Sequence, residues 1–299
     1  MSMREFSYQL CDVFTSRPLE GNQLAVFPEA NGLSDAEMQA LARETNLSET
    51  TFVVRRDAAL ERERGIRVRI FTTQEELPFA GHPTLGTAAT IRSLFPEWHG
   101  AEKIVLDLNA GQVPVVFPPE RNAGSAAFGV MTQPRPVFGS MHEHGDVAPL
   151  LGLKVEDLLP DVRPQTVSTG LPFCVTVLRT VDALGRMRVN LAAAERYFQG
   201  RDVKFFYAIA EEQTGEWRAR MQFYNGEDPA TGSAAGCAIS YLVRHMLVPP
   251  GSEIHLRQGV EMRRPSDLYI SANLSGGEVS EVRVGGSTVP VAKGRFFLE

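Results

Sequence analysis

The sequence predicts a duplicated fold of mixed helix and strand, and three observations predict it. Two segments in opposite halves open alike: Gly81-His82-Pro83-Thr84-Leu85-Gly86-Thr87-Ala88 and Asp228-Pro229-Ala230-Thr231-Gly232-Ser233-Ala234-Ala235-Gly236. Each sets a Gly and a small or polar side chain just ahead of a helical run. Each also follows an alternating strand, Ile66 to Ile70 in the first half and Trp217 to Phe223 in the second. Each half then carries an echo, Ala110-Gly111-Gln112-Val113 and Gln258-Gly259-Val260-Glu261; Gly81 to Gly111 spans 30 residues and Gly232 to Gly259 spans 27. Gly81 and Gly232 lie 151 residues apart, about half of the 299.

The elements follow in order. Phe6 to Val13 reads as a strand, Arg17 to Asn22 turns, and Gln23 to Phe27 resumes extended chain. Ser34-Asp35-Ala36-Glu37 is a capping box that starts a helix with Met38, Leu41 and Ala42 on one face, ending near Asn46. Thr50 to Val54 is β-branched and aromatic, hence a strand. Gly81 to Phe95 is helical, with Pro83 tolerated in its first turn. Pro118 to Gly145 is rich in Pro, Gly, Ala and His and is the expected crossover between domains 1–125 and 126–299, with the last strand free to return to the first domain. A second series of helices and strands follows from Val147.

The chemistry of two glycine-led helix starts is definite. Such an end has unpaired N–H groups and a partial positive charge that attract carboxylate or phosphate, and glycine lets the ligand come close. The expectation is an anion site built from backbone N–H groups near Gly81-His82 and Thr231-Gly232. The plain alternative is that these glycines relieve crowding between helix and sheet.

Composition sets limits. With 43% apolar residues the chain holds one large core or two ordinary ones. A net charge of −6 and a pI near 5.6 argue against nucleic acid or an anionic membrane as the main partner, though not against a small anionic substrate. No stretch approaches 18 apolar residues and Met1 to Gln9 has no hydrophobic signal core, so a cytoplasmic protein is expected. Cys11, Cys174 and Cys237 are isolated and read as reduced core residues. His142 and His144 read as part of a solvated loop, and no metal ligand cluster stands out. Neither GxxxxGK[ST] nor GxGxxG occurs, so no nucleotide cofactor is expected.

Several motifs resemble one family. Asp12-Val13-Phe14-Thr15, Gly21-Asn22, Asn46-Leu47-Ser48-Glu49-Thr50-Thr51-Phe52 and Glu76-Leu77-Pro78-Phe79-Ala80-Gly81-His82-Pro83 are similar to segments of the phenazine-biosynthesis isomerases, the PhzF-like proteins. So are Asp228 to Ala234, Gln258-Gly259-Val260-Glu261 and Arg264-Pro265-Ser266. The resemblance runs in order along the whole chain. It implies an α+β, diaminopimelate-epimerase-like fold: two similar domains, each a sheet wrapped around a central helix, with the active site in the cleft between them. It also implies a cofactor-free isomerase, often a homodimer, whose known activity shifts a proton within trans-2,3-dihydro-3-hydroxyanthranilate. By the same likeness Glu49 is the acid/base, His82 and Asp228 stand beside it, and Gly81, Thr231, Gly232 and Ser233 bind substrate. The paired cysteines of amino-acid epimerases are absent from both glycine-led segments, which argues against racemisation by two thiols. The loop Tyr224-Asn225-Gly226-Glu227 is shorter than the family pattern suggests.

The residues taken alone agree in part. Glu49 sits in an otherwise uncharged run, and a carboxylate in an apolar cleft has its pKa raised from about 4.3 toward neutrality, as carbon proton transfer requires. A surface strand-edge Glu is the bland alternative. His82 is a capping or core histidine, or a group that hydrogen-bonds substrate or relays a proton. Asp228 fixes a turn before Pro229, or orients His82 or a substrate group. Ser233 is an N-cap or a ligand contact. A hydrolase using Ser233, His82 and Asp228 is weakened by Thr-Gly-Ser-Ala-Ala in place of a GxSxG elbow. A non-catalytic small-molecule-binding or interaction protein on the same fold is the other competing expectation.

Overall fold

The structure, a computed structural model, describes residues 3–121, 126–224 and 226–299. The chain divides into two units, Met1–Thr132 with Gly285–Glu299, and Gln133–Val284.

The first unit contains β1 (Arg4–Val13), β2 (Asn22–Phe27), α1 (Asp35–Thr45), β3 (Glu49–Val54), α2 (Ala58–Arg64), β4 (Ile66–Phe71), β5 (Glu76–Leu77), α3 (Gly81–Leu94), β6 (Lys103–Leu108), β7 (Gly111–Val116) and β8 (Ala127–Thr132). The second contains β9 (Val137–Met141), α4 (His144–Leu150), β10 (Gln165–Ser168), β11 (Pro172–Leu178), α5 (Val181–Arg186), α6 (Leu191–Phe198), β12 (Phe205–Gln213), β13 (Glu216–Arg220), β14 (Gln222–Phe223), β15 (Gly226–Glu227), α7 (Gly232–Arg244), β16 (Ile254–Gln258) and β17 (Ser266–Ser275). The long β18 (Glu278–Leu298) contributes its first residues to the second unit and its remainder to the first.

In the first unit the strands run β1-β2-β3-β4-β6-β7-β8-β18, and β18 pairs antiparallel with β1 from Arg4↔Leu298 to Val13↔Thr288, which closes an eight-stranded barrel. Closure removes the exposed edges that an open sheet would have to protect. In the second unit the order is β9-β10-β11-β12-β13-β16-β17-β18. The pairing signs match strand for strand. β2–β3 and β11–β12 are parallel, β3–β4 and β12–β13 antiparallel, and β4–β6 and β13–β16 parallel across α3 and α7 respectively. The duplication read from the two glycine-led segments is therefore a duplication of topology.

Each unit wraps its sheet around one helix. Every residue from Gly81 to Ile91 of α3 and from Gly232 to Val243 of α7 is buried, as expected for a helix without a polar face. Small residues make this possible. A Cβ on Gly86 would stand 2.6 Å from Leu24 Cδ2 and 2.7 Å from Val13 Cγ2, so the helix sits against β1 and β2 only because that position is glycine. The amphipathic α1 behaves as its pattern indicates: Ser34 and Glu37 form a capping box, Asn46 ends the helix in a left-handed conformation, and Met38, Leu41 and Ala42 pack with Phe27, Phe52 and Phe71.

Three expectations change. The Trp217 to Phe223 strand breaks at Met221, because Gln222-Phe223 turns back to pair with Gly226-Glu227. Pro118 to Gly145 is not a bare crossover: β8 pairs antiparallel with β7, so the division falls after Thr132 and not at 125/126, and Ser125 itself lies outside the described residues. His142 is not in a solvated loop but buried, with Nδ1 2.8 Å from the Tyr197 hydroxyl and Nε2 2.8 Å from Thr166 Oγ1. The short loop before Asp228 includes Asn225, which lies outside the described residues. The three cysteines are free and buried, and burial pushes each thiol up to about 12. No helix among the described residues is long and apolar enough to cross a membrane.

Candidate active site

Glu49 opens β3, and both following side chains fix that strand start. Thr50 Oγ1 lies 2.7 Å from Thr45 Oγ1 at the end of α1, and Thr51 Oγ1 accepts a 2.8 Å hydrogen bond from Thr87 of α3. Thr50 and Thr51 are fully buried, so the strand is held to both helices by polar contacts that water does not reach. The Glu49 side chain remains 16% exposed. It is neither the fully exposed edge residue nor an isolated core charge.

His82, in the first turn of α3, is brought beside it: Nδ1 stands 3.5 Å from Glu49 Oε2. Burial pushes the His82 imidazole down to about 3, so at neutral pH the ring is uncharged. The 3.5 Å approach is then neither an ion pair nor a strong hydrogen bond. The closer side-chain partner of Nδ1 is the Asn22 amide nitrogen, 3.2 Å away, and burial outweighs a hydrogen bond with the Gln23 backbone that favours the charged ring. Nε2 is buried and has no hydrogen-bond partner among the described residues. A buried ring nitrogen without a partner costs free energy unless a ligand supplies one. Asn22 was not among the expected site residues; its signals were its place in the Gly21-Asn22 motif of the resemblance and beside Gly21, a left-handed turn residue at φ 69°.

In the second unit the expected residues form a separate group. Thr231 is the N-cap residue of α7, and its hydroxyl donates to Asp228 Oδ2 at 2.6 Å and makes no cap bond. Ser233 is buried inside the first turn, so the N-cap role considered for it falls to Thr231. Ala80, the N-cap of α3, also makes no side-chain cap bond. The helices α1, α2, α5 and α6 do have side-chain caps, from Ser34, Asp57, Thr180 and Asn190. The two glycine-led helix starts thus keep first-turn N–H groups that no capping side chain uses. Sequence reading also missed Gln258 as a partner: it bonds both Asp228 and Thr231. No cluster of three or more His, Cys, Asp or Glu suited to a metal ion occurs among the described residues.

The comparisons with known proteins settle the lineage. The family model for phenazine biosynthesis-like protein matches residues 11–294. The chain belongs to the phenazine biosynthesis-like family. It is 37% identical to a trans-2,3-dihydro-3-hydroxyanthranilate isomerase of Pseudomonas aeruginosa, an alignment covering 97% of this chain and 99% of that one. A solved structure of a predicted epimerase from Pseudomonas aeruginosa matches with a TM-score of 0.83 at 35% identity, covering 98% of this chain and 100% of the other. A hydroxyproline epimerase from Agrobacterium vitis, at 12% identity and a TM-score of 0.68 over 99% of this chain and 93% of its own, shares the fold. The duplicated architecture is therefore that of the epimerase-like proteins. As a phenazine biosynthesis-like protein with relatives named as isomerases, the chain is an isomerase.

Proposed function

We propose that the protein is a cofactor-independent isomerase that moves a proton between two carbons of a small carboxylate, with Glu49 as general acid/base. Glu49 as carboxylate takes the proton from one carbon, and as the acid so formed returns it to another; no other group needs to change its charge overall. The observation that carries the reading is the partly exposed Glu49 carboxylate 3.5 Å from a buried, neutral His82 whose Nε2 has no hydrogen-bond partner among the described residues. An imidazole held down near 3 is a poor base, so in this reading His82 hydrogen-bonds the substrate through its unpartnered Nε2 and does not relay the proton. The substrate-binding groups of this reading are Gly81 in the first unit and Gly232 and Ser233 in the second, each at a helix start that lacks a side-chain cap, while Thr231, whose N–H goes to Gln258 and whose hydroxyl goes to Asp228, holds that second helix start in place. Asp228 orients a substrate hydroxyl or amine. The substrate class follows from the relative's name: a cyclic amino- or hydroxy-carboxylate resembling trans-2,3-dihydro-3-hydroxyanthranilate. A cytoplasmic homodimer is the assembly that goes with this reading.

The test is Glu49→Gln, which keeps size and some hydrogen bonding but cannot accept a proton. General acid–base catalysis contributes roughly 10²–10⁴-fold, so kcat on trans-2,3-dihydro-3-hydroxyanthranilate falls by about that much while KM changes little. His82→Asn and Asp228→Asn cost less. Near-normal turnover by Glu49→Gln removes Glu49 from the mechanism.

A further inference from the structure

Gln258, the last residue of β16, is fully buried, and its amide makes four hydrogen bonds. Thr231 N donates to its Oε1 at 3.1 Å, and the Tyr207 hydroxyl donates to the same oxygen at 2.9 Å. Its Nε2 donates to the Asp228 carbonyl at 2.8 Å and to Thr231 Oγ1 at 2.9 Å. Two of these partners have no choice of role: a backbone N–H only donates and a backbone carbonyl only accepts. They fix which end of the amide is oxygen. Burial keeps the Tyr207 phenol protonated, so it too is a donor.

With the amide oriented, the Thr231 hydroxyl receives a hydrogen from Gln258 and directs its own to Asp228 Oδ2, 2.6 Å away. That length is typical of a hydroxyl donating to an ionised carboxylate. The chain of donors runs one way, from Gln258 through Thr231 to Asp228. Gly259 makes the approach possible: at φ +74° it lies so close to Pro229 that a Cβ would meet the Pro229 carbonyl at 2.6 Å. The echo motif Gln258-Gly259 is thus the support beneath the Asp228–Ser233 segment.

We propose that Gln258 is a positioning residue for the reaction: it fixes the direction of the Thr231 hydroxyl and thereby holds Asp228 as an oriented, hydrogen-bond-accepting carboxylate. The proposal rests on the reading that Asp228 serves turnover. It predicts a specific failure in Gln258→Glu. That variant still accepts from Thr231 N and Tyr207, but its second oxygen faces Thr231 Oγ1 as an acceptor, so the Thr231 hydroxyl turns away from Asp228.

The experiment is a double-mutant cycle on trans-2,3-dihydro-3-hydroxyanthranilate turnover, joined to a crystal structure of Gln258→Glu. A lost hydrogen bond to a charged group corresponds to roughly tenfold to hundredfold, so Gln258→Glu and Thr231→Val each lower kcat by about that factor, with a smaller change in KM. The double variant is no slower than the slower single one, because both cut the same chain. Thr231→Ser, which keeps the hydroxyl, retains most of the rate. In the crystal the Thr231 hydroxyl has left Asp228 and faces residue 258, a result that is read whether or not this substrate is turned over. Additive losses in the cycle, or Thr231 still bonded to Asp228 in Gln258→Glu, overturn the proposal. Should Gln258→Glu not fold, Gln258→Met, which removes the donor at similar volume, takes its place in the cycle. Full turnover by Asp228→Asn would instead refute the role of Asp228 itself, and loss in Asp228→Asn without coupling to Gln258 would refute only the positioning role.

Discussion

Replacing Gly86 by Ala tests whether the central helix of the first unit is held by close approach. The added Cβ meets Leu24 Cδ2 at 2.6 Å, Val13 Cγ2 at 2.7 Å and Cys11 Sγ at 3.4 Å. Carbon contacts are comfortable at about 3.5–4.0 Å, so two methyl groups must each move by roughly 1 Å. Leu24, Val13 and Cys11 are fully buried on β1 and β2 and have no open side to move toward. Overpacking of this kind costs about 1–3 kcal/mol, against about 1 kcal/mol gained from better helix propensity. The expected net effect is destabilisation by about 1 kcal/mol, lowering Tm by roughly 2–4 °C. Gly185 in α5 isolates the propensity effect, since a Cβ there meets nothing within 4 Å. Gly185→Ala is expected to be neutral or stabilising by up to about 1 kcal/mol. Calorimetric and urea midpoints of the two variants decide the matter. A Gly86→Ala protein as stable as Gly185→Ala would refute the packing argument, and with it the reason given for the small residues of α3.

Two further outcomes follow from particular groups. His255 lies between Asp267, 2.8 Å from Nε2, and Glu216, 2.6 Å from Nδ1, and the hydrogen bond to Asp267 is the first cause of its raised pKa. A raised folded-state pKa gives stability that is complete below the unfolded value of about 6.5 and is lost as pH rises through the folded value. The stability gap between wild type and His255→Gln should therefore shrink as pH is raised from 5.5 to 9, and a gap constant in urea titrations would contradict it. Isomerase activity should also survive exhaustive chelation and dialysis; loss restored only by an added metal would contradict the cofactor-independent reading.

What could be read from the sequence was what is written locally. Ser34 and Glu37 cap α1 across three residues, and Asn46 ends it by its own left-handed conformation, so both ends of that helix were visible. The two glycine-led starts were visible because the same small residues recur where each buried helix begins. The partners of the site were not. Asn22 reaches His82 across 60 residues, and Gln258 reaches Thr231 across 27 and Tyr207 across 51. Side-chain pairing at such separations is set by tertiary packing and leaves no periodic trace. His142 was misread for the same reason: a polar residue in a Gly- and His-rich stretch looks solvated until Tyr197, 55 residues away, satisfies it. The break at Met221 was missed because Gln222 and Phe223 continue the strand's composition while pairing with their own neighbours Gly226 and Glu227.

The central claim is that Glu49 transfers a proton to and from carbon, and solvent-hydrogen exchange reads that act directly. Wild type and Glu49→Gln are incubated with trans-2,3-dihydro-3-hydroxyanthranilate in D₂O and followed by proton and deuterium NMR. The account predicts that deuterium enters at carbon with wild type and that its entry slows by roughly 10²–10⁴-fold in Glu49→Gln. Entry of deuterium at an undiminished rate in Glu49→Gln would contradict it.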